Sequence, residues 1–300
     1  MQNKSSHRCG FVALVGRPNV GKSTLMNRLM GQKISIVTHK PQTTRHRVNG
    51  MLSLPQAQLI FVDTPGIHDP GQKSLNRQMN QAAIDALKNA DVIVCMVMAG
   101  IWLEQDENVL ALAKASGQPV YLAVNKVDTI KHRDTLLPWL EQNVQQEWLK
   151  GVFLVSAKKG SGVKKLQDQL CEILPEMPAL YPEEQITNRS ERFLVAELVR
   201  EQLLRRMHKE LPYGMHVHIE KFDASKKQIV IDATIWVARA SHKGMVIGKQ
   251  GSSLKQIGTA ARKAIQKLLQ RPVHLQLWVS VQSDWFDDPR RLESVGITDS

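Results

Sequence analysis

The chain has 300 residues, of which 42% are hydrophobic, and this is enough for about two globular domains with a buried core in each. The longest apolar run, residues 92–99, is too short to span a bilayer, and residues 1–9 are polar, so neither a membrane-spanning segment nor a secretion signal is expected. Three widely spaced cysteines, Cys9, Cys95 and Cys171, favour a reducing cytosol over a disulfide framework or a zinc site.

Charge narrows the range of partners. The chain carries 40 Lys and Arg against 28 Asp and Glu, a net charge of +12, and residues 233–283 contain no acidic residue. A run of like charges is often only a solvated face, but an acid-free stretch of this length favours a nucleic-acid partner. The eight cations in it are Arg239, Lys243, Lys249, Lys255, Arg262, Lys263, Lys267 and Arg271.

An apolar run at residues 11–15 is followed by a glycine-rich segment and then by apolar residues at helical spacing. The segment matches Gly-x-x-x-x-Gly-Lys-Ser/Thr, the P-loop, in which backbone N–H groups cradle phosphate oxygens at the start of a helix. In this pattern Lys22 reaches the β- and γ-phosphates and Ser23 ligates Mg²⁺. The predicted nucleotide-binding residues here are Gly16, Arg17, Pro18, Asn19, Val20, Gly21, Lys22, Ser23 and Thr24.

Residues 32–47 are polar and lack a clear periodicity, which predicts a mobile segment in a nucleotide-binding domain. The segment contains Thr43 and Thr44. A hydroxyl here, for which we favour Thr44, would complete the Mg²⁺ shell when a γ-phosphate is present. The alternative is that both are ordinary loop hydroxyls.

A second apolar run, residues 59–62, ends in Asp63, Thr64, Pro65 and Gly66. A carboxylate at the end of a strand, following a P-loop at this distance, is where a nucleotide-binding protein holds Mg²⁺, so Asp63 is predicted as a metal ligand. Gly66 would offer its backbone N–H to the γ-phosphate without a Cβ in the way. In isolation the four residues would also make a good turn.

The apolar run at residues 120–124 ends in Asn125, Lys126 and Asp128. A carboxylate below a purine accepts both N1–H and N2–H of guanine, whereas adenine has an acceptor at N1 and no N2 amine, so Asp128 is predicted to select guanine. We expect Asn125 to tie this loop to the P-loop and the alkyl stem of Lys126 to cover the base. A P-loop kinase or ATPase is the alternative, and Asp128 argues against it.

A last strand of this half, residues 152–155, leads into Ser156, Ala157 and Lys158, whose backbone is expected near the guanine carbonyl. Predicted helices at 73–89 and 103–116 alternate with the strands. This order predicts an α/β domain with a mostly parallel, doubly wound sheet over residues 8–175.

Pro175, Pro178 and Pro182 break the chain after this half, and residues 176–186 are predicted to be a connector. Residues 187–300 then give a smaller α+β domain in the order α-β-β-α-α-β, starting with a helix at 187–209. His216 and His218 point the same way from a strand, but without a third ligand nearby a solvated face is preferred to a metal site.

Between the two later helices lies the tetrapeptide Gly-x-x-Gly at residues 248–251. Such a turn presses its backbone against nucleotides, because nothing projects from the glycines, and flanking lysines meet the phosphates. A helix-capping turn is the alternative. The predicted RNA-binding residues are Lys243, Val246, Ile247, Gly248, Lys249, Gln250, Gly251 and Lys255.

With its four motifs in order, the first half, residues 10–174, resembles translation-factor-type GTPases. The resemblance implies GTP binding and hydrolysis with Mg²⁺, and a switch formed by residues 42–46 and 63–68. Ile67 stands where many such enzymes carry the glutamine that orients water. It resembles a hydrophobic-substituted subclass with slow intrinsic turnover, in which K⁺ near the P-loop asparagine, here Asn19, supplies positive charge. Asn19 as a plain turn residue is the alternative.

Residues 246–251, in their α-β-β-α-α-β context, resemble the K-homology RNA-binding module in its bacterial topology. The two halves together, with the switch at residues 42–47, resemble the Era family of bacterial GTPases over residues 9–286. The resemblance implies a monomer that binds GTP or GDP and the 3′-terminal region of small-subunit ribosomal RNA during 30S subunit maturation. It also implies a cytoplasmic location with some peripheral contact with the inner membrane.

Two features leave the second domain open to another interpretation. Ser280 and Gln282 occupy positions of the last strand where the family often has lysines, which weakens the case for phosphate contacts from that strand. A GTPase recruited to anionic lipid through its basic domain is the alternative, against which interrupted hydrophobicity and the Gly-x-x-Gly turn both argue.

Overall fold

The computed structural model describes residues 7–40, 43–66, 74–144, 147–207 and 215–283, whose strands form two sheets. These residues group into two units. The described part of the first unit lies within residues 7–35, 44–66 and 76–188, and that of the second within residues 36–40, 43, 74–75, 189–207 and 215–283. No helix within the described residues is long and apolar enough to cross a membrane.

The first unit alternates strands with helices, in the order β1 (Arg8–Val15), α1 (Lys22–Leu29), β2 (Val48–Leu54), β3 (Ala57–Asp63), α2 (Ser74–Lys88), β4 (Val92–Met98), α3 (Glu104–Ala115), β5 (Val120–Asn125), α4 (Leu136–Asn143), β6 (Gly151–Leu154) and α5 (Val163–Ile173). Neither β2 nor α4 is predicted from the sequence. Every residue of β3 and β5 is buried, which is why these strands are continuous apolar runs rather than alternating ones.

The strands lie in the order β2-β3-β1-β4-β5-β6, with β2 antiparallel to β3 and all other neighbours parallel. From β1 the chain moves to β3 on one side and to β4 on the other, so the strand order reverses beside β1. In open α/β sheets a ligand binds at such a switch point, outside the carboxyl ends of the strands. The predicted nucleotide-binding segments follow the ends of β1, β3, β5 and β6.

Residues 176–188, which include the predicted connector, pack against the first unit. The Met177 N–H donates to the carbonyl of His7 at 3.1 Å, and the Met51 N–H donates to the carbonyl of Ile186 at 3.0 Å. Met51 lies on β2, the outermost strand of the sheet. This segment therefore covers backbone groups of an edge strand that would otherwise be open to pairing.

The second unit has the predicted α-β-β-α-α-β order, formed by α6 (Glu191–Arg206), β7 (Met215–Asp223), β8 (Ile229–Val237), α7 (Ala240–Ile247), α8 (Ser252–Leu269) and β9 (Val273–Val281). The sheet order is β7-β8-β9, antiparallel and then parallel. Alternate residues of β8 are buried, and they share a core with Ile257, Ala261 and Ile265 of α8.

Helix α6 is shorter than predicted, and its buried face is different. It begins at Glu191 because the Ser190 hydroxyl accepts the N–H of Phe193 at 3.3 Å and caps the helix; residues 208–209 lie outside the described residues. The sequence places Phe193 on the core face and leaves Leu194 and Leu198 off it. The structure corrects this, since Leu194 and Leu198 are buried and Phe193 is half-buried.

The buried face of α6 is wide partly because described residues between 36 and 43 contact this helix and its core. Ile36 joins the core of the second unit, and the Val37 N–H donates to the Glu201 carboxylate at 2.9 Å. The Arg200 guanidinium donates to the carbonyl of Thr43. Two residues of the predicted mobile segment, Val37 and Thr43, therefore have defined hydrogen bonds to α6.

Candidate nucleotide and nucleic-acid binding sites

The P-loop turn after β1 requires glycine at two positions. A Cβ on Gly16, which has φ +152°, would lie 2.5 Å from the carbonyl oxygen of Met96, and one on Gly21, with φ +110°, would lie 2.3 Å from the side-chain nitrogen of Asn125. Either contact is too short for a real side chain. The contact at Gly21 shows how closely Asn125 packs against the P-loop.

Lys22 is buried at the start of α1 and donates to the carbonyls of Gly16 at 2.8 Å and Arg17 at 3.1 Å. Burial lowers the pKa of Lys22 to about 8, although the negative charge of Asp63 acts in the opposite direction. Phosphate oxygens would supply a negatively charged partner for this ammonium.

Three oxygens from separate segments meet beside Lys22. The Ser23 hydroxyl donates to Asp63 Oδ2 at 2.7 Å and lies 3.1 Å from the hydroxyl of Thr44. Asp63 is fully buried, its Oδ1 has no hydrogen-bond partner, and burial raises the pKa of its carboxyl group while Ser23 and Lys22 oppose the rise. Hard oxygen ligands with an unpaired buried carboxylate oxygen fit Mg²⁺.

The structure also separates Thr44 from its neighbour Thr43. The Thr43 hydroxyl donates to the carbonyl of Lys40 at 2.6 Å and lies 2.6 Å from the hydroxyl of Thr38. Thr43 thus stabilises its own loop, whereas Thr44 faces the metal ligands. Gln42, Ile67 and His68 of the predicted switch lie outside the described residues.

The two residues between Asp63 and Gly66 have different roles. The buried Thr64 hydroxyl donates to the carbonyl of Leu14 at 2.9 Å and so fixes the loop to β1. Pro65 is also buried. A Cβ on Gly66 would lie 3.0 Å from Cγ of Pro18, so the loop after β3 contacts the P-loop where only a small residue fits.

Asn125 joins two of the nucleotide-binding loops. Its Nδ2 donates to the carbonyl of Val20 at 2.8 Å, and its Oδ1 accepts the N–H of Ala157 at 2.9 Å. Lys126, with φ +64°, donates from Nζ to the carbonyl of Asn19 at 2.7 Å. The P-loop, the guanine motif and the loop after β6 are therefore one hydrogen-bonded assembly.

Asp128 is hydrogen-bonded to the loop after β6 in a way that favours its ionised form. The Ser156 hydroxyl donates to Asp128 Oδ1 at 2.6 Å, and this hydrogen bond holds the pKa of the Asp128 carboxyl below its usual range. Lys158 contributes its backbone carbonyl, which accepts from the Arg28 guanidinium, as does the Ala157 carbonyl at 3.1 Å. Arg28 of α1 thereby supports the loop after β6.

Asp106 of α3 is a site-supporting residue that the sequence does not reveal. It accepts from Arg17 Nε at 2.9 and 3.0 Å, and both side chains are buried. Burial raises the pKa of Asp106, and the Arg17 charge opposes the rise. An acid in the first turn of a helix reads as an ordinary helix-capping residue, so only the fold shows that it anchors the P-loop.

In the second unit, the Gly-x-x-Gly turn joins α7 to α8 through left-handed backbone. Gly248 has φ +73°, Gln250 φ +50° and Gly251 φ +76°. A Cβ on Gly248 would lie 2.7 Å from the Ser253 Cβ, whereas one on Gly251 would meet nothing within 4 Å. Gly248 is thus required by packing, whereas Gly251 has open space where a side chain would stand.

Beside this turn, α8 and β9 enclose a groove of about 520 Å³ lined by Gly251, Leu254, Lys255, Gly258, Thr259, Arg262, Leu275 and Leu277. Among the predicted RNA-binding residues, Lys243, Lys249, Gln250 and Lys255 are exposed and Ile247 is half-buried. Val246 is fully buried, so its side chain packs in the core and does not face the groove. Arg262 and the three leucines are not among the predicted RNA-binding residues, although Arg262 is one of the eight cations of the acid-free stretch.

The two histidines on β7 pack against an aromatic ring. His216 and His218 lie 5.2 and 5.3 Å from the ring of Trp236, measured between centroids. Among the described residues there is no group of three or more His, Cys, Asp or Glu arranged to hold a metal ion.

Comparison with known proteins covers both units. Residues 11–126 match the family described as 50S ribosome-binding GTPase, and residues 210–286 match the KH domain family. The chain is 44% identical to GTPase Era of Stenotrophomonas maltophilia strain K279a over 99% of each chain, and 45% identical to GTPase Era of Xanthomonas campestris pv. campestris strain B100 over 99% of each.

Two solved structures resemble the whole chain. One is a crystal structure of Era in complex with MgGDPNP and nucleotides 1506–1542 of 16S ribosomal RNA, with a TM-score of 0.93, 38% identity and coverage of 97% of this chain and 99% of that one. The other is a variant of Aquifex aeolicus Era bound to GDP·AlF₄⁻, with the same score, identity and coverage.

Proposed function

This chain belongs to the Era family of GTPases, and on that premise we propose that it is a GTP-hydrolysing switch that binds small-subunit ribosomal RNA near its 3′ end during assembly of the 30S subunit. The observation that supports the proposal is that one chain combines a P-loop beside three oxygen side chains with a cation-flanked groove. The oxygens of Ser23, Thr44 and Asp63 meet beside a P-loop, and a cation-flanked groove adjoins the Gly-x-x-Gly turn.

For the nucleotide, each step rests on groups of the first unit. The backbone of the P-loop and the Lys22 ammonium bind the phosphates, and Asp128, kept ionised by Ser156, accepts the two N–H groups of guanine. Ser23, Thr44 and Asp63 would hold Mg²⁺, which neutralises charge on the β- and γ-phosphates. Because Ile67 has no group that orients water, we expect slow intrinsic turnover.

We propose K⁺ as a second cation beside Asn19. Asn19 has φ +65°, and its carbonyl already accepts the Lys126 ammonium, so the backbone here presents an oxygen to positive charge. The test is the rate of GTP hydrolysis in K⁺ against Na⁺ at constant ionic strength. A rate at least fivefold higher in K⁺ is expected, and equal rates would overturn this part of the proposal.

For the RNA, the groove supplies two kinds of contact. Its leucines and Gly258 give an apolar floor for bases, and the exposed Lys255 and Arg262 lie where a sugar–phosphate backbone would enter. The acid-free sequence around the groove keeps repulsion from the phosphates low. A membrane surface would use the same cations but not the apolar floor.

The remaining partners and the compartment follow from the same reasoning. We propose that the protein acts as a monomer on GTP, GDP and the 30S subunit in the cytoplasm, with only peripheral contact with the inner membrane. The three cysteines are buried and unpaired, which suits a reducing compartment.

The experiment is ultraviolet crosslinking in cells, followed by sequencing of the attached RNA. Reads should concentrate in the last part of small-subunit ribosomal RNA. Uniform reads along ribosomal RNA would reduce the function to non-specific RNA binding. Vesicles of anionic lipid that compete with the purified RNA segment for the protein would favour the membrane-recruited switch.

A further inference from the structure

The first unit has a cavity that the nucleotide site does not use. It has a volume of about 480 Å³, within the range of small-ligand sites, and it lies between α3, α4 and the flanking loops. Its polar and aromatic walls are Trp102, Glu107, Lys114, Gln142, Asn143 and Trp148.

Two indole rings dominate this cavity, and each already contacts a charged group of the chain. The Trp102 Nε1–H donates to Glu107 Oε1 at 3.2 Å, while its ring packs edge-on against Trp139 at 6.1 Å between centroids. These contacts fix both the ring and the carboxylate. The Lys114 ammonium lies 5.6 Å from the ring centroid of Trp148, so this ring face binds a cation.

The two helices beside the cavity together carry a charge opposite in sign to that of the whole protein. Helix α3 carries Glu104, Asp106 and Glu107 against Lys114, and α4 carries Glu141 and no cation, which gives the two helices a net charge of −3 in a chain of net charge +12. Because Asp106 is paired with Arg17, Glu107 is the carboxylate that faces the cavity. The wall also holds the Lys114 ammonium, so Glu107 is available to a cationic guest when that guest takes the place of Lys114.

Exposed apolar residues on the same segments indicate the size of that guest. Leu103, next to Trp102, is 44% exposed, and Leu137 of α4 is 65% exposed. A free metal ion or small amine would leave such residues in water, whereas a peptide with apolar residues beside its cation would cover them.

We propose that this cavity binds an arginine side chain presented by a peptide segment of a partner protein. The guanidinium stacks on Trp148 in place of Lys114 and pairs with Glu107, and apolar neighbours of the arginine cover Leu103 and Leu137. A planar guanidinium suits the stack and the carboxylate better than an ammonium does.

The test uses the full chain and two synthetic peptides, acetyl-Leu-Arg-Leu-amide and its citrulline analogue, which has the same shape without the charge. Binding is followed through the indole N–H resonances of ¹⁵N-labelled tryptophans. The arginine peptide should shift the Trp102 and Trp148 signals and bind at least tenfold more tightly than the citrulline peptide. Equal binding of the two peptides, or no shift at millimolar peptide, would overturn the proposal.

Matched variants separate this site from general electrostatics. Glu107→Gln should weaken binding of the arginine peptide about five- to tenfold. Glu141→Gln removes the same charge from α4 outside the cavity wall and should change the affinity for the peptide less than twofold. Lys114→Gln should strengthen binding about threefold, because a competing cation is gone, and Lys150→Gln should not. Equal effects within either pair would contradict the proposed contacts.

Two further readouts separate peptide binding from damage to the P-loop support and from self-association. The rate of GTP hydrolysis should be unchanged in Glu107→Gln, and a matching loss of hydrolysis and peptide binding would show damage to the neighbouring Asp106 instead of a separate site. The same indole shifts produced by raising the protein concentration alone would identify a second copy of the chain as the occupant and overturn the peptide proposal.

Discussion

The proposed nucleotide site and the proposed RNA-binding groove beside the Gly-x-x-Gly turn are built in different ways. In the first, Lys22, Asp63 and Asn125 are buried and fixed by hydrogen bonds of 2.7–3.1 Å. In the second, left-handed backbone forms the turn, and cations such as Lys249 and Lys255 extend into solvent.

This difference decides what a single substitution does. When a buried side chain makes hydrogen bonds to two loops, no other residue type can make both bonds. Its replacement therefore leaves a buried polar group without a partner, and binding changes strongly. Several exposed cations attract the same phosphate backbone, so the affinity for RNA falls only partly when one of them is removed. Large effects are expected in the first unit and graded ones in the second.

The largest effect is expected for Asp128→Asn. The amide presents a donor where guanine N2–H needs an acceptor, and it matches xanthine, which has a carbonyl at that position. The affinity for GTP should fall by about 100-fold or more and that for XTP should rise, measured by competition among GTP, XTP and ATP. Asp134→Asn, an exposed acid outside the base-binding motif, serves as the control, and unchanged GTP selectivity in Asp128→Asn would remove Asp128 from base recognition.

The second effect concerns pH and Lys22. With its pKa lowered from 10.5 to about 8, folded Lys22 loses its proton before the unfolded chain does, so the unfolded state binds more protons between these values. The free energy of unfolding contributed by Lys22 therefore rises with pH from about 8 to about 10, by the order of 1–3 kcal/mol.

Urea unfolding of the nucleotide-free protein at several pH values checks this. The difference between the wild type and Lys22→Met should grow across that range in favour of the wild type, because methionine does not titrate. Parallel curves would show that the ammonium is solvated in the free protein and that the P-loop is looser around it than its hydrogen bonds indicate.

The third effect sharpens the comparison in the second unit. Gly251→Asp places a negative charge on the turn with open space around it, and RNA affinity should fall about tenfold while GTP hydrolysis is unchanged. Gly251→Asn has the same backbone strain and size without the charge, so its affinity for RNA should fall much less. Equal losses in the two variants would show that backbone strain, not phosphate repulsion, is responsible. Gly248 is unsuitable, because a Cβ there strikes Ser253.

The sequence predicts features that depend on local motifs better than features that depend on contacts between distant segments. The fold class is confirmed, as are GTPase activity and membership of the family. The motifs after β1, β3 and β5 can be found from the sequence because each follows a strand that is mostly buried and apolar. Strand β2 is missed since Asn49-Gly50 reads as a turn. Gly50 is there because a Cβ would lie 2.6 Å from Ile34, a contact between distant segments. Helix α4 is missed because it is short and contains Pro138.

Within the sites, local motifs are predictable and long-range support is not. The P-loop residues form a contiguous pattern, but Asp106 and Arg28 act on residues 89 and 129 positions away. Arg262 looks like any solvated cation on a helix until β9 closes the groove beside it. The core face of α6 is misjudged for the same reason, since Ile36, Val37 and Thr43 contact the second unit's core or α6 from elsewhere in the chain.

The smallest effect tests whether the groove cations act collectively. If the groove clamps about four nucleotides of single-stranded RNA, log affinity should fall with log salt at a slope of roughly −3. Arg262→Gln should weaken RNA binding only about threefold and reduce the slope by roughly 0.7, the share of one phosphate contact. Fluorescence anisotropy of a labelled RNA at increasing KCl measures both.

The control for that titration is Lys267→Gln, which removes an exposed cation of α8 that does not line the groove. It should leave the slope within about 0.2 of the wild-type value if contacts are confined to the groove. Equal slopes for the two variants would mean that the whole basic face attracts RNA without a defined path. If Arg262→Gln lowered RNA affinity by as large a factor as Asp128→Asn lowers GTP affinity, the comparison would be wrong. One exposed cation would then contribute as much to binding as a single residue of the nucleotide site.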